Sequence, residues 1–276
     1  MPCEFQPDKM YRMPTHFGPS LGPRQSDAGR RWPRPNSTQT TIISVRFLSE
    51  RCQLEALLPA GFQVAEEPIV TVSARYMTDI PWLAGRGYNT LGVLFPAIYH
   101  GQRDHVRGEF LTVLWENLAD PIITGREELG YAKLYCELPE STQQEGETRC
   151  LAAWLGFEFL DLRINRLRPA EGEEISATGG NSAGMLHYKY IPRTGEWGTA
   201  DVAYATLTPA GDAKRRVTEA WAGEGSVQFH PAAWEDLPTM YNIVNALHAL
   251  EVNAYLGATL IKTVGAKDLS DQRRLY

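Results

Sequence analysis

Short runs rich in β-branched and aromatic residues follow one another along most of this chain, and they constrain its fold more than any other feature. About nine such runs lie between residues 41 and 265, each bounded by Gly, Pro, Asp or Asn. The pattern does not alternate strand with helix, so a parallel sheet is not expected. We predict an α+β fold, mainly antiparallel, in which a bent sheet or a closed β-barrel encloses a pocket, with a few flanking helices.

Two segments have the apolar spacing of helices. Ser49 stands where it can cap a short helix over residues 50–58, which ends at Pro-Ala-Gly. Residues 239–252 repeat apolar side chains at helical spacing and predict a second helix late in the chain.

The first 38 residues differ in composition from the rest. They contain seven prolines and several glycines without periodicity, which predicts an extended arm. No linker divides the remainder, so we expect an N-terminal arm, residues 1–38, and a single domain, residues 39–276.

Charge and cysteine content exclude several classes of protein. The formal net charge is −6 and the longest run of Lys and Arg is three residues, so a nucleic-acid partner is not expected. The four cysteines have no CxxC spacing, which is typical of reduced thiols. The start of the chain lacks the apolar core of a signal peptide, and no stretch approaches the roughly 20 apolar residues of a membrane span. We expect a cytoplasmic protein without a membrane partner, acting on a small molecule.

Two motifs that could indicate a site have weak support. Residues 180–184 match the GxSxG pattern around Ser182, but a polar segment precedes them and a strand pattern follows, whereas a nucleophile elbow joins a strand to a helix. His100 and His105 are five residues apart across a turn, which is not the spacing of two metal ligands on one helix face. The sequence therefore predicts no metal site and no cofactor.

Lys133 is the candidate nucleophile. The segment around it alternates, placing Lys133, Tyr135 and Glu137 on one strand face and Leu134 and its neighbours on the other. A lone lysine is most often a solvated surface charge. If this face lines the interior, however, burial lowers the pKa of the amine, and a neutral amine can form a Schiff base with a carbonyl compound.

The segment PIITGREELGYAKL, residues 121–134, resembles the signature of the acetoacetate decarboxylase superfamily. In that signature a lysine six residues after the Glu of GRE forms the imine, which corresponds here to Glu127 and Lys133. Residues 13–23, 44–70, 88–101 and 219–229 resemble further segments of the family in the same order. The resemblance implies a β-barrel-like α+β fold, an internal pocket, a lysine imine and a homo-oligomer.

The sequence departs from the decarboxylases at their charged positions. Leu134 replaces a second lysine beside the nucleophile, Thr90 and Ser73 fall where those enzymes have glutamates, and Thr40 falls at an arginine position. Such changes resemble the aldolase-dehydratase-type branch of the superfamily, in which the iminium drives other bond changes than loss of CO2.

The remaining candidate residues lie close to these positions. We expect Glu127 or Tyr88 to transfer protons beside Lys133, and Arg86 or Arg126 to bind a substrate carboxylate, with Thr90 and Leu134 lining the substrate site. Other roles are open: Arg126 and Glu127 could form an internal ion pair, Arg86 could be a surface turn residue, and Tyr88 could belong to the core.

The expected function is that of a Schiff-base-forming lyase that uses Lys133 on a small oxo acid or a polyketide-like carbonyl compound. Aldol or dehydration chemistry is favoured over simple decarboxylation. The alternatives are a 3-oxo acid decarboxylase of the acetoacetate type, and a non-imine isomerase or cyclase, or a protein that binds an apolar metabolite in the same pocket.

Overall fold

The computed structural model describes residues 4–27, 32, 36–172, 174, 183–211, 215–267 and 269–276. Ser182 of the GxSxG match lies outside these residues. Fourteen strands are described: β1 (Gln39–Leu48), β2 (Phe62–Val64), β3 (Ile69–Ile80), β4 (Arg86–His100), β5 (His105–Glu116), β6 (Lys133–Tyr135), β7 (Thr142–Gln144), β8 (Glu147–Trp154), β9 (Phe157–Pro169), β10 (Gly184–Pro192), β11 (Ala200–Pro209), β12 (Arg216–Phe229), β13 (Ala254–Val264) and β14 (Arg273–Arg274).

All fourteen strands belong to one sheet. Its order is β14-β11-β10-β5-β4-β3-β1-β13-β12-β9-β8-β7, with β2 paired to β4 and β6 paired to β5. The pairs β10–β5 and β5–β6 are parallel and the other described pairs are antiparallel. The mainly antiparallel α+β prediction is confirmed in its bent-sheet form. The closed barrel is wrong, because the short strands β14 and β7 stand at opposite ends of the order and do not pair among the described residues.

The two faces of the central strands differ in chemistry. Ile43, Ala74, Leu91 and Trp115 stand opposite one another across β1, β3, β4 and β5, and all four are buried in the main apolar core. Successive strand residues point to opposite faces. The next row, whose members lie opposite one another on the reverse face, is therefore Ile42, Arg75, Thr90 and Glu116. The alternation of the sequence thus builds an apolar core on one face. On the other face, Arg75, Thr90 and Glu116 form a polar row across β3, β4 and β5.

Three α-helices are described: α1 (Arg51–Glu55), α2 (Ala119–Thr124) and α3 (Tyr241–His248). The helix α1 begins with Glu50 rather than Ser49 in the cap position. The late helix appears as predicted, though shorter, and Met240 just before it accepts a hydrogen bond from the Trp115 indole at 3.4 Å. None of the helices in the described ranges is long and apolar enough to cross a membrane.

The N-terminal arm packs on the loop that precedes β6. The Arg12 guanidinium contacts Glu128 at 3.2 Å and also donates to the Thr124 hydroxyl. Arg24 forms a second ion pair with Glu128. The arm therefore lies over one loop of the domain, tied there by charged side chains.

Candidate active site

The chain reaches Lys133 through an unusual turn. Helix α2 continues into a π-helical turn over Gly125–Leu129, which ends at Gly130 in the left-handed conformation, with φ of 85°. A side chain at Gly130 would also meet Lys189 Cβ at 2.6 Å, so both the backbone and the packing require glycine there. The chain then enters β6, which runs parallel to β5 with Lys133 paired to Leu114.

Lys133 is not a solvated surface charge. Its residue is 7% exposed, and its Nζ lies 2.8 Å from Glu116 Oε1 and donates to the Pro121 carbonyl at 2.9 Å. The Tyr131 ring centroid is 5.3 Å from the same nitrogen. Gly125 packs against the lysine stem, since a Cβ there would lie 2.7 Å from Nζ and overlap Cδ and Cε. These contacts fix the amine in one place.

Burial changes the ionisation of both partners toward their neutral forms. It lowers the pKa of Lys133, an effect that Glu116 opposes and that the Arg24 guanidinium reinforces. Burial likewise raises the pKa of Glu116, which is 1% exposed, and Lys133 opposes that shift. Glu116 Oε2 has no hydrogen-bond partner within the described ranges. The pair thus places a buried amine beside a buried carboxyl group, one oxygen of which has no described partner.

A second group of polar side chains lies beyond Tyr131. The Tyr131 hydroxyl and His187 Nε2 both contact the Thr208 hydroxyl, at 2.9 Å and 3.0 Å, and the two rings lie 4.0 Å apart. Burial and, to a smaller extent, the charge on Lys133 together lower the pKa of His187 to about 3. His187 is therefore a neutral ring at physiological pH. Its Nδ1 is without a hydrogen-bond partner in the part of the chain that the structure describes.

Tyr88 and Thr90 lie beside this site, near the start of β4. Thr90 is buried between Arg75 and Glu116 in the polar row. Burial raises the pKa of the Tyr88 hydroxyl, and the charge on Glu116 raises it further. The structure thus brings these two predicted residues into the surroundings of Lys133.

The other predicted residues are placed elsewhere. Leu134 packs against the main core, on the opposite side of β6 from the amine. Arg86 is exposed and donates to the Leu83 carbonyl at 3.4 Å, whereas Arg126 is exposed and donates to the Lys133 carbonyl at 2.8 Å. Glu127 is partly buried and its main-chain carbonyl accepts a hydrogen bond from Lys189. An Arg126–Glu127 ion pair is not found among the described residues, because Arg126 supports the backbone of the nucleophile instead.

Sequence reasoning missed Glu116, Tyr131, His187, Arg75 and Arg24. Glu116 and Arg75 carry a local signal, because each is a charged residue on the polar face of a strand whose other face is apolar. Tyr131 stands two residues before the nucleophile, within the quoted signature. For His187 and Arg24 only the three-dimensional fold reveals the proximity to Lys133.

Groove volume alone would place the candidate site elsewhere. One open groove of about 640 Å³ is lined by Tyr99, Arg103, Tyr204, Arg274 and Tyr276, and another of about 530 Å³ by residues that include Asn117 and Tyr135. Neither contains Lys133 or Glu116 in its lining. Buried, coupled ionisable groups are a stronger mark of a catalytic site than an open groove, so we place the candidate site at Lys133. No cluster of three or more His, Cys, Asp or Glu residues suited to a metal ion occurs in the described portion of the chain.

Solved structures of known proteins share this fold. The chain superposes on acetoacetate decarboxylase from Legionella pneumophila subsp. pneumophila str. Philadelphia 1 with a TM-score of 0.63 and 19% identity, over 91% of this chain and 93% of that one. An acetoacetate decarboxylase-like enzyme from Sphingomonas wittichii RW1 gives 0.63 and 21%, over 87% and 92%. The enduracididine biosynthesis enzyme MppR gives 0.60 and 12%, over 90% and 92%. At such identities the likeness establishes the fold.

The sequence itself establishes the family. Among curated proteins none matches the chain. The family model for acetoacetate decarboxylase (ADC), however, matches residues 12–269, which is most of the sequence. The solved relatives named above are enzymes of this kind. The chain belongs to the acetoacetate decarboxylase family.

Proposed function

We propose that this chain is a Schiff-base-forming lyase that acts on a small oxo acid, with Lys133 as the nucleophile and Glu116 as the group that moves protons beside it. The observation that carries the proposal is the buried contact of 2.8 Å between Lys133 Nζ and Glu116 Oε1. Burial favours the neutral form of each group, and two neutral partners are a free amine and a carboxylic acid. Those are the two species that imine formation requires.

The first half of the reaction forms the imine. The Lys133 amine adds to the substrate carbonyl carbon, and the resulting hydroxyl leaves as water after it accepts the Glu116 proton. The product is an iminium, a positively charged electron sink next to the substrate's α-carbon. The Glu116 carboxylate that remains can then remove a proton from this carbon, which gives an enamine and restores the acid.

The second half depends on which bond changes next. In an aldol reaction the enamine carbon attacks an aldehyde, and the new alkoxide takes a proton. Loss of that oxygen as water gives an unsaturated iminium, and hydrolysis by another water molecule releases the product and restores the Lys133 amine. Decarboxylation is simpler. The bond between the α-carbon and the carboxylate breaks, CO2 departs, and the bonding electrons stay behind and convert the iminium into an enamine, which needs one proton.

The surroundings of Lys133 favour the aldol or dehydration course. Such a course requires several proton transfers, and Glu116, Tyr131, Tyr88 and His187 are all coupled electrostatically to one another or to Lys133. The MppR relative was solved with the condensation product of pyruvate and imidazole 4-carboxaldehyde, an outcome of this type of chemistry in that protein. Decarboxylation of a 3-oxo acid is the second candidate, and the match to the acetoacetate decarboxylase family model is the observation that favours it.

Trapping with borohydride tests the imine. The protein is incubated with pyruvate, 2-oxobutanoate or acetoacetate in the presence of borohydride, and the peptide that carries the adduct is identified by mass spectrometry. We expect an adduct on Lys133, no adduct in Lys133→Met, and an unchanged adduct in Lys189→Met, a matched control in which another partly buried lysine is removed. Absence of any adduct, or full turnover by Lys133→Met, would contradict the imine.

Product analysis separates the two reaction types. Release of CO2 from acetoacetate identifies a decarboxylase, whereas a condensation product from pyruvate and an added aldehyde identifies aldol chemistry. An isomerase, a cyclase or a protein that only binds an apolar metabolite would give neither product. The homo-oligomer remains a prediction, which light scattering on the purified protein will check.

A further inference from the structure

Arg75 occupies the polar face of the sheet close to the candidate site. In β3 its neighbours Ala74 and Tyr76 are buried in the main core, so Arg75 points to the opposite face. There it stands opposite Thr90, which in turn stands opposite Glu116. The Cα atoms of Arg75 and Glu116 are two strand spacings apart, or roughly 10 Å. The long arginine side chain and a small acid can together fill that gap.

Arg75 is half-buried, and its guanidinium lacks the partner that a desolvated cation normally has. Burial lowers the pKa of Arg75, and the nearby Arg215 lowers it further. Favourable interactions come from Tyr131 and Tyr88, which are also electrostatic neighbours of Glu116. No carboxylate of the described residues lies within ion-pair distance of Arg75. A desolvated cation in this position is stabilised when an anionic ligand binds it.

The other arginines around the site are engaged or turned outward. Arg24 is paired with Glu128, Arg126 donates to the Lys133 carbonyl, and Arg86 is exposed beside Leu83. Lys133 already interacts with Glu116. The nearby Arg215 is exposed. A substrate anion that enters this site therefore meets Arg75 as a half-buried guanidinium whose charge no described carboxylate balances.

We propose that Arg75 binds the substrate carboxylate and thereby makes the site selective for oxo acids over neutral ketones and aldehydes. Arginine suits this role because its planar guanidinium can donate two parallel hydrogen bonds to a carboxylate. The inference deepens the proposed function, on which it rests for the identity of the reacting carbonyl. It assigns Arg75 as a binding and specificity residue, not as a participant in proton transfer.

The test compares a charged and a neutral substrate of similar size. Borohydride trapping on Lys133 is measured against the concentration of 2-oxobutanoate and, separately, of propanal, in wild type and in Arg75→Gln. We expect Arg75→Gln to raise the half-saturating concentration of 2-oxobutanoate by about 10- to 100-fold, in line with the loss of a charge-assisted bidentate contact, and to change that of propanal less than twofold. Arg166→Gln is the matched control, since Arg166 is exposed and forms an ion pair with Glu224, and it should alter neither value.

A second variant guards against misfolding. Arg75→Lys keeps the charge but loses the paired hydrogen bonds, so its half-saturating concentration of 2-oxobutanoate should lie between those of wild type and Arg75→Gln. If Arg75→Gln raises the half-saturating concentrations of 2-oxobutanoate and propanal equally, or raises neither, the proposed role of Arg75 is overturned. If wild type traps neither compound, the imine proposal fails, and equilibrium dialysis with radiolabelled 2-oxobutanoate then decides about Arg75 separately. Binding that Arg75→Gln leaves unchanged, or an absence of binding to wild type, would refute the carboxylate site.

Discussion

Removing one partner of the Lys133–Glu116 pair should change stability in a way that depends on pH, and the two single variants should respond in opposite directions. The side chains are 8% and 1% exposed and their charged atoms are 2.8 Å apart. Truncating one member of such a buried pair typically costs about 3 to 5 kcal/mol, because the remaining ionisable group stays buried without its partner. Lys133→Met, Glu116→Gln and the double variant together form a thermodynamic cycle that isolates this interaction.

The sign of the pH dependence follows from the pKa shifts. In Lys133→Met, burial still raises the pKa of Glu116, and the opposing charge is gone. The folded state then holds a proton that the unfolded state loses above its own pKa, so stability is greatest at low pH and falls as pH rises. In Glu116→Gln, burial and Arg24 lower the pKa of Lys133 without opposition. The unfolded state now holds the additional proton, so stability rises with pH.

The magnitude of each slope is bounded. One proton of difference between the two states changes the free energy of unfolding by at most about 1.4 kcal/mol per pH unit. Between pH 5.5 and pH 8, each single variant should therefore change by up to about 3.4 kcal/mol relative to the double variant, one downward and one upward. The double variant has neither buried ionisable group and should regain most of the stability lost by either single change.

The assay is urea unfolding followed by tryptophan fluorescence, at fixed protein concentration, at pH 5.5, 6.8 and 8. Arg166→Gln is the control, since Arg166 forms an exposed ion pair with Glu224 and should give a small effect that does not depend on pH. Parallel slopes for Lys133→Met and Glu116→Gln would refute the reasoning. Such a result would mean that burial does not lower the pKa of Lys133 and raise that of Glu116.

Three further predictions concern the same site. Because Arg24 helps to lower the pKa of Lys133, Arg24→Gln should move the rising limb of the pH dependence of imine trapping to higher pH. Gly125→Ala places a methyl group against the lysine stem and should reduce trapping by 100-fold or more, on the order expected for a displaced nucleophile, whereas Gly172→Ala, which meets nothing within 4 Å, should retain it. His187 should stay neutral, so its ring signals in NMR spectra should not shift between pH 5 and pH 8.

The sequence predicted the sheet because its information about strands is local. Period-2 alternation in β1, β3, β4 and β5 specifies which side chains enter the core, and the structure buries one such row, Ile43, Ala74, Leu91 and Trp115. Whether the sheet closes depends on how its two ends meet, and no local pattern encodes that. The short edge strands β7 and β14 carry little hydrophobic signal, which is why the closed barrel could not be excluded from the sequence.

Of the candidate site, the sequence predicted Lys133, Tyr88 and Thr90 but not the carboxylate beside the amine. The spacing from Glu127 to Lys133 identified the lysine, but the contacts described for Glu127 are with Lys189, through its main-chain carbonyl and its charge. The carboxylate beside the amine is Glu116, which comes from the strand parallel to β6. Pairing between parallel strands is set by the tertiary fold, so this contact could not be derived from spacing along the chain.

The residue after Lys133 has less influence on the amine than its position in the sequence suggested. Successive residues of a strand point to opposite faces, and Leu134 accordingly packs in the main core. The Leu134 side chain therefore packs in the core behind β6. A lysine at this position would point away from the Lys133 amine. The cation that lowers the pKa of the amine is Arg24, which the N-terminal arm brings to the loop before β6. The absence of a second lysine at position 134 is thus compatible with the proposed imine chemistry.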